Sequence, residues 1–521
     1  MFRLPKLSSP EAFGRYFNLT VRQCKDIIED AFRPSYYRLN PVSALHAVDK
    51  CAQMMCSVSD PARFISLSNP DEKWRRTANS IFLEMSSFMR EVNGSEQNIE
   101  FLRSFLSIRN QSKHLFSPSE LLFIDSLETE MVKGVVNLST TDRVRLMECE
   151  SFIENAEHLI YSSAEHERYP IVEQLLKNRL KLANLLGFKS FFDYSTASAV
   201  AKTSAVVLEY LEEASKSKAG LIGLGERRNP APGSSQMSIS DFFKYVEALF
   251  ELRFQERKPD PVEVWNDCVS VFEIQSTGTS VHVGTVYLDE SENLAGLNAS
   301  FSISVGVKTD APPIYVITCA KDTPRHTLFH EFGHVIQGIL SVGEFYSNSG
   351  NRESPDYLEI HSTFLELLPA VVSGDLSPWK PFDILYQTFL ADVDARFHSL
   401  QSDQQITDAS LKSIVTKSRE RYGISNSSHF HGYLTHLGGY GGVYFSYPFA
   451  TCFATELWLR LIRKEIPLSS VRSILFSSCG RMSSQDALHA VFGHKTPVFA
   501  NMAQIANEIP HSVLSVRNGI S

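Results

Sequence analysis

The sequence predicts a mainly α-helical protein with a small β-sheet in its second half. Apolar residues recur at helical spacing through long segments, for example at positions 44, 45, 48, 52, 55 and 56. Between residues 268 and 319 the pattern changes to alternation of apolar and polar residues, which is typical of strands. Helical spacing then returns. We therefore expect helices, a short sheet, and helices again.

The composition excludes several classes of protein. The chain has 521 residues, of which 43% are apolar and 21% charged, so it resembles a globular protein that is long enough for two or more domains. No uninterrupted run of eighteen apolar residues occurs, and we predict no membrane span. The net charge of −9 argues against nucleic-acid binding and favours a cationic substrate. The eight cysteines form no Cys-x-x-Cys pair, which is typical of reduced thiols.

The order of segments predicts two domains. Residues 9–220 are helical by spacing, including 44–58, 120–135 and 173–186, and we assign residues 1–225 to an N-terminal helical domain. Pro, Gly and Ser are concentrated at residues 226–235, so we predict a linker over 226–240. Residues 238–256 return to helical spacing at the start of a second domain, 241–521.

Four strands are predicted next, at residues 268–274, 280–288, 301–307 and 313–319. They come directly before a helix that begins near Thr323 and Pro324. A hydroxyl followed by proline is a typical helix start.

The helix that follows contains a sequence suited to metal binding. From His330 to His334 it reads His-Glu-Phe-Gly-His. Two histidines four residues apart project from the same helix face, so both imidazoles can reach one ion, and Glu331 lies beside any water that the ion holds. This is the H-E-x-x-H pattern of zinc peptidases, in which the Glu is the general base. Gly333 costs about 1 kcal/mol in a helix, but it would let another segment come close.

A third ligand is expected downstream, because catalytic zinc takes three protein ligands and leaves one position for water. The candidates are Glu344, Glu353, Glu359, His361 and Glu366. Residues 355–368 have helical spacing, and Glu359 and Glu366 lie two turns apart at the edge of its apolar side. Spacing alone does not choose between these two glutamates.

After Glu366 the spacing is helical to the end, with breaks at residues 377–378 and 425–428. Residues 436–447 stand out because four of the five residues 438–442 are glycine, which predicts a flexible or tightly turned segment. Tyrosines before a helix are more often packing residues than catalytic ones.

These motifs together resemble the thimet oligopeptidase family of zinc metallopeptidases. The resemblance rests on His-Glu-Phe-Gly-His, on Ser-Gly-Asn-Arg at 349–352 and on Asp-Tyr-Leu-Glu at 356–359. It is greatest to the mitochondrial intermediate peptidase branch, through residues 7–13 and 56–64. It implies two helical halves that enclose a deep cleft, with the small sheet, at about 268–319, beside the zinc-binding helix. The zinc helices would span about 323–370.

The resemblance also implies a set of site residues. The metal ligands for one Zn²⁺ per chain would be His330, His334 and Glu359. The catalytic residues would be Glu331, His436, Tyr444 and Tyr447. In addition, Asp356 and Glu366 could orient a zinc-binding histidine, or could instead be a helix cap and a solvated carboxylate. We set His326 and His361 aside as ligands.

Three functions remain open at this point. The first is removal of a short N-terminal peptide from imported mitochondrial precursors, in the mitochondrial matrix. The second is general degradation of short peptides, with the cytoplasm as an alternative location. The third is an inactive, zinc-stabilised binding protein. We expect a monomer whose partner is a peptide or an unfolded precursor N-terminus.

Two further expectations follow from the resemblance. The first 25 residues carry five basic residues and one acidic residue, as transit peptides do, but the resemblance already begins there, so we expect a mature N-terminus. An extended substrate could lie along the edge of the small sheet, where backbone hydrogen bonds hold any sequence. Alternatively, the strands only support the metal helix.

Overall fold

The structure is a computed structural model that describes residues 1–132, 138–162, 168–225, 237–291, 299–307, 311–373, 381–424, 437–478 and 480–497. The first part is helical. Its helices are α1 (Pro10–Ala31), α2 (Pro34–Tyr37), α3 (Pro41–Ser68), α4 (Glu72–Gly94), α5 (Glu96–Gln111), α6 (Pro118–Val132), α7 (Thr140–Ser162), α8 (Arg168–Leu185), α9 (Phe191–Thr196), α10 (Ser204–Gly225) and α11 (Ile239–Phe250).

A sheet and a second set of helices follow. The strands are β1 (Leu252–Arg257), β2 (Val269–Ser276), β3 (His282–Asp289), β4 (Ala299–Ser304) and β5 (Ile314–Thr318). The helices are α12 (Arg325–Leu340), α13 (Pro355–Glu366), α14 (Leu368–Ser373), α15 (Pro381–His398), α16 (Asp408–Tyr422), α17 (Ser446–Ile462), α18 (Leu468–Ser470) and α19 (Ser484–Phe492), with a π-helical turn at Val471–Phe476. The predicted mainly α class with a small sheet is confirmed. Among the described residues, no helix is both long enough and apolar enough to cross a membrane.

The strand order is β1-β2-β3-β5-β4, in which β3 and β5 are parallel and the other pairs antiparallel. The four predicted strands correspond to β2, β3, β4 and β5, but the predicted helix over residues 238–256 is wrong in its last part. Glu251 adopts a left-handed φ of 58° and ends α11. The chain then continues as β1, where Phe254 stacks on Phe243 of α11 at 4.3 Å between ring centroids.

The sheet lies between two apolar cores. Side chains alternate between its faces, so β2, β3 and β5 each contribute to both cores. One face packs on helices α1, α3 and α4 through Val269, Val271, Tyr287, Ile303 and Val316. The other face joins the core that contains α12, through Phe272, Ile274, Val286, Leu288, Tyr315 and Ile317. The sheet therefore fixes the position of α12 within the molecule.

Helices α12 and α13 approach each other closely at Gly333. A Cβ at this position would lie 2.5 Å from the Cα of Ser362 and 2.9 Å from the carbonyl oxygen of His361. Both are backbone atoms, which cannot move aside as a flexible side chain can. The prediction that a small residue at 333 admits another segment is therefore confirmed, and that segment is α13.

Replacing Gly333 by Ala should lower the free energy of unfolding by up to about 2 kcal/mol. Alanine improves helix propensity by about 1 kcal/mol, but overpacking a rigid contact costs about 1–3 kcal/mol, so the cost should exceed the gain. Urea unfolding measures the difference. Gly14→Ala is the matched control, because Gly14 also lies inside a helix and a Cβ added there would have no neighbouring atom within 4 Å. A stabilised Gly333→Ala protein would contradict the close approach.

The predicted division into domains 1–225 and 241–521 stays a prediction. Residues 226–236 of the predicted linker lie outside the described residues, as do the predicted breaks at 377–378 and 425–428.

Candidate metal centre

Helix α12 presents both histidines of the motif towards α13. Its opposite side is anchored in the core by Leu328, Phe329, Phe332, Val335 and Ile336. Because the histidines are one turn apart, their rings face the same gap, with centroids 5.0 Å apart. Their side chains are each 14% exposed. The pair therefore opens onto solvent while the helix behind it is held by packing.

Glu359 completes a group of three ligand atoms. Its Oε2 lies 3.1 Å from Nε2 of His330 and 3.5 Å from Nε2 of His334. Ligands held at about 2.0–2.1 Å from a tetrahedral zinc ion lie about 3.3 Å from one another. The two distances bracket this value, and all three ligand atoms lie within 4.8 Å of one another, so the three side chains are placed to hold one ion. When the His, Cys, Asp and Glu side chains of the described residues are compared, His330, His334 and Glu359 are the group whose ligand atoms lie close enough together to hold a metal ion.

Glu366 contacts the other nitrogen of His330. Its Oε2 lies 2.8 Å from Nδ1 of His330. If Nδ1 carries the proton and donates it to this carboxylate, Nε2 is left with its lone pair directed at the metal position. Two glutamates that spacing could not distinguish thus occupy different places, one at the ligand position and one behind the histidine.

Among the described residues, no hydrogen bond or ion pair joins Asp356 to either histidine, and its role as an orienting residue stays a prediction. Its carboxylate accepts hydrogen bonds from the backbone N–H groups of Val200 (3.0 Å) and Ala201 (3.1 Å). Burial raises the pKa of this carboxyl group, although the two backbone hydrogen bonds act in the opposite direction. Because Asp356 is in the first turn of α13, it faces the segment after α9 and fixes that segment to the helix.

The electrostatics of the group favour a cation. Burial opposes protonation of His330, but hydrogen bonds with Glu359 and Glu366 outweigh it and raise its pKa. For Glu359, burial acts to raise the pKa, but the charges and hydrogen bonds of the two histidines outweigh burial, and the pKa is lowered. The buried carboxylate is therefore stabilised by positive charge, and a divalent ion at the same place would replace the proton.

Glu331 lies in the same turn as His330 and is 8% exposed. Within the described part of the chain, its carboxylate makes no hydrogen bond or ion pair. A carboxylate beside the ligand group that is not occupied by another partner can accept a proton from a water molecule there.

Tyr447 is a tyrosine whose pKa is affected by a member of the ligand group, Glu359. It is half-buried in the first turn of α17, and burial together with the negative charge of Glu359 raises its pKa, so its hydroxyl stays a donor. Tyr444 is buried, and its pKa is raised by burial and by Tyr386 and Asp394. The rings of Tyr444 and Tyr447 are 5.2 Å apart. His436 lies outside the described residues.

Sequence reasoning treated Tyr440 only as a neighbour of the predicted tyrosines. In the structure it forms a side-chain hydrogen bond with Tyr447, and the two rings are 5.3 Å apart. Its distance of seven residues from Tyr447 could have suggested contact, but only if the intervening glycines were known to fold tightly.

His361 is not part of the ligand group, which agrees with the sequence analysis, where His361 was set aside as a ligand. It is fully buried, and its Nε2 lies 3.1 Å from the carbonyl oxygen of Leu475. Burial lowers the pKa of His361 to about 4, so the ring is neutral and serves packing between α13 and the π-helical turn.

Comparison with known proteins agrees with this geometry. The model of peptidase family M3 matches residues 232–370 and 377–495, which include the ligand group and α17. The chain belongs to peptidase family M3. The predicted resemblance to this family of peptidases, and to mitochondrial intermediate peptidase within it, is confirmed, and the M3 chain is a metallopeptidase.

The M3 chain resembles its relatives over most of its length, but at low identity. It is 20% identical to mitochondrial intermediate peptidase of Malassezia globosa, with 90% of this chain and 81% of the relative covered. The corresponding values for the peptidase of that name from Leucoagaricus gongylophorus are 21%, 89% and 84%. The solved structure of PZ peptidase A with an inhibitor covers 96% of this chain and 97% of its own, with a TM-score of 0.65 at 13% identity, which shows a shared fold.

Removing the side chain of Glu366 should weaken zinc binding by about 10- to 100-fold, the usual effect of losing a residue that orients a ligand. Glu366→Ala leaves His330 free to rotate and to exchange its tautomer. Competition with a fluorescent chelator measures the affinity. The control is Glu344→Ala, because Glu344 was a candidate ligand by sequence but bonds to Ser119 instead. Equal affinities in the two variants would contradict the role of Glu366.

Proposed function

We propose that this M3 metallopeptidase uses one Zn²⁺ per chain to hydrolyse peptide bonds in short or extended substrates. The observation that carries the proposal is the geometry of His330, His334 and Glu359: the Glu359 oxygen lies at the separations expected between zinc ligands from both imidazole nitrogens, and all three atoms lie within 4.8 Å of one another. Two imidazoles and one carboxylate form a ligand set typical of catalytic zinc. Zinc in such a site lowers the pKa of a water molecule towards about 7 and polarises a carbonyl oxygen.

In our proposal, the side chains around the ligand group transfer the proton, stabilise the carbonyl oxygen and orient a metal-binding histidine. Glu331 accepts the proton of the attacking water and later passes it to the leaving amine. The Tyr447 hydroxyl donates a hydrogen bond to the carbonyl oxygen as negative charge develops there, a contribution of about 3 kcal/mol for a single donor. His436 and Tyr444 support this oxygen in our proposal. Glu366 keeps His330 in the tautomer that binds the metal.

We propose that the edge of the sheet holds an extended substrate. Strand β4 stands at one end of the strand order, and it contacts α12, which carries the histidines. Its outer edge pairs with no other described strand, and in our proposal an extended peptide adds to this edge through backbone hydrogen bonds. Backbone pairing would hold many sequences, which suits a peptidase with broad substrates. The same sheet also packs on α12 through its apolar face, and a purely supporting role for the strands is the alternative to substrate binding.

We further propose that the biological substrate is the N-terminus of an imported precursor in the mitochondrial matrix. The support is the name shared by relatives that cover about nine-tenths of this chain. The second candidate is a general oligopeptidase with the same chemistry. The third, an inactive zinc-stabilised binding protein, is disfavoured because Glu331 stands beside a complete ligand group.

Mass spectrometry of cleavage products tests the function. The zinc-loaded protein is incubated with a library of short unstructured peptides, with and without a chelator, and in parallel with a partly processed mitochondrial precursor. We expect chelator-sensitive cleavage that zinc restores. Removal of one short N-terminal peptide from the precursor supports the processing role, whereas cleavage of the short peptides alone supports the general oligopeptidase. No cleavage of any substrate would reject both.

A further inference from the structure

The glycine-rich segment, residues 437–442, comes directly before Tyr444 and Tyr447, of which Tyr447 lies in α17. Four glycines give a chain that does not hold one conformation by local preference. Something else must therefore fix the segment if the tyrosine hydroxyls are to keep one place. The contacts that do so come from two helices that are distant in sequence, α8 and α15.

Asp394 of α15 fixes the end of the segment. It is fully buried, and its Oδ1 accepts the backbone N–H of Gly442 at 3.0 Å. Its Oδ2 accepts the backbone N–H of Tyr444 at 3.1 Å. One carboxylate thus holds two amides that flank Val443, directly before α17 begins.

Arg179 of α8 fixes the beginning. It is 2% exposed, and its Nη2 donates to the carbonyl oxygens of Leu437 (2.7 Å) and Gly438 (3.3 Å). Its Nη1 lies 3.0 Å from Nε2 of His398. Because arginine only donates, Nε2 is the acceptor and the proton of His398 is on Nδ1. That Nδ1 donates to the backbone carbonyl oxygen of Asp394 at 2.9 Å and lies 3.0 Å from its Oδ1, which closes a chain of contacts from one end of the segment to the other.

We call Arg179, His398 and Asp394 the clamp. The glycines match its shape. A Cβ at Gly441 would overlap Nη1 of Arg179. At Gly442, where φ is 79°, a Cβ would lie 2.9 Å from Oγ of Ser195, which donates to the Gly442 carbonyl oxygen. Glycine is therefore needed for close contact with the clamp and its surroundings, and the segment is tightly turned.

We propose that the clamp residues are positioning residues for peptide hydrolysis. By fixing both ends of residues 437–444, they set where α17 begins and so where the Tyr447 hydroxyl meets the substrate carbonyl. This inference rests on the proposed role of Tyr447. A displacement of about 1 Å in such a group can cost roughly 100-fold in rate. The effect should appear in kcat, because Tyr447 acts on charge that develops only in the transition state.

The test compares two neighbouring aspartates of α15. Asp394→Asn keeps one acceptor oxygen but turns an NH₂ group towards the other backbone amide. Asp392→Asn is the matched control, because Asp392 is also fully buried and charge-paired but contacts Arg396, Ser418 and Arg421 rather than the segment. We expect Asp394→Asn to lower kcat by about 10- to 100-fold, with KM and bound zinc close to wild type. Asp392→Asn should keep its kcat.

Hydrogen exchange gives a readout that does not depend on activity. In Asp394→Asn the amides of Gly442 and Tyr444 should exchange faster than in wild type and in Asp392→Asn. Arg179→Lys, which keeps the charge but cannot reach both carbonyls and His398 together, is the second variant, in case Asp394→Asn folds poorly. It should show the same loss of kcat.

Tyr447→Phe separates the inference from the function on which it rests. If the clamp acts through Tyr447, Asp394→Asn should cost little further kcat in the Tyr447→Phe protein. Equal losses in both backgrounds, or unchanged exchange at Gly442 and Tyr444, would overturn the clamp alone. A Tyr447→Phe protein with the kcat of wild type would overturn the proposed role of Tyr447 as well.

Discussion

Glu331→Gln should abolish peptide cleavage while the protein keeps about one zinc ion per chain. The carboxylate is buried beside His330 and is not among the three atoms that fit the metal. An amide of the same shape leaves the ligand group intact but cannot accept a proton from water at neutral pH. A general base contributes about 10²- to 10⁴-fold in rate. Hydrolysis of a quenched fluorescent peptide and the zinc content by atomic emission measure the two quantities.

Glu290→Gln is the control for Glu331→Gln. Glu290 lies before the metal helix and pairs with Arg325, the first residue of α12, at 3.4 Å, so the substitution removes one negative charge near the same helix. It should leave kcat within a few-fold of wild type. If Glu331→Gln retained the rate of this control, Glu331 would not be the base. Loss of zinc from Glu331→Gln would instead make it part of the ligand group.

The pair of metal-binding histidines could be predicted from the sequence because its geometry is local. Two residues four apart on a helix share a face, and that rule suffices to place His330 and His334 together. The third ligand was different. Glu359 and Glu366 are seven residues apart on α13, so both lie on nearly the same side of that helix. Only the resemblance to a known family could select one of them before the structure was available.

The structural reason for that choice is the contact at Gly333. With α13 against α12 at this point, Glu359 meets the Nε2 atoms while Glu366 meets Nδ1 of His330. The approach of two helices is a tertiary property, and periodicity within each helix does not contain it. For the same reason periodicity could not find the partners of Asp356: these are the amides of Val200 and Ala201, about 155 residues away in the chain.

The clamp and strand β1 show the same limit. Arg179 and Asp394 look like ordinary charged residues on amphipathic helices, and their partners in residues 437–444 are as much as 259 residues away. Strand β1 has the alternation of a strand, but it follows a helix without any glycine or proline to separate the two. The left-handed conformation of Glu251 separates the helix from the strand, and a glutamate in the sequence does not predict that conformation.

Glu359→Gln should remove the stabilisation that zinc gives to the folded protein. A ligand that binds only the native state adds about 2.7 kcal/mol at one hundred times its Kd, so added zinc should raise the Tm of the metal-free wild type by several degrees. A neutral amide is a poor zinc ligand, and the variant also loses the charge that holds His330 and His334 together. We therefore expect no rise in Tm with zinc, as also for His330→Ala.

Three glutamates near the metal position allow this prediction to be contradicted by a single series of melting curves. Glu331→Gln should show the full zinc-dependent rise, because its carboxylate is not a ligand. Glu366→Gln should show a smaller rise, because His330 keeps its metal-binding nitrogen but loses the charged partner at Nδ1. Glu359→Gln should show none. If Glu366→Gln and Glu359→Gln exchanged these results, Oε2 of Glu366 would be the ligand and the 3.1 Å and 3.5 Å contacts of Glu359 would belong to an ion pair that zinc displaces.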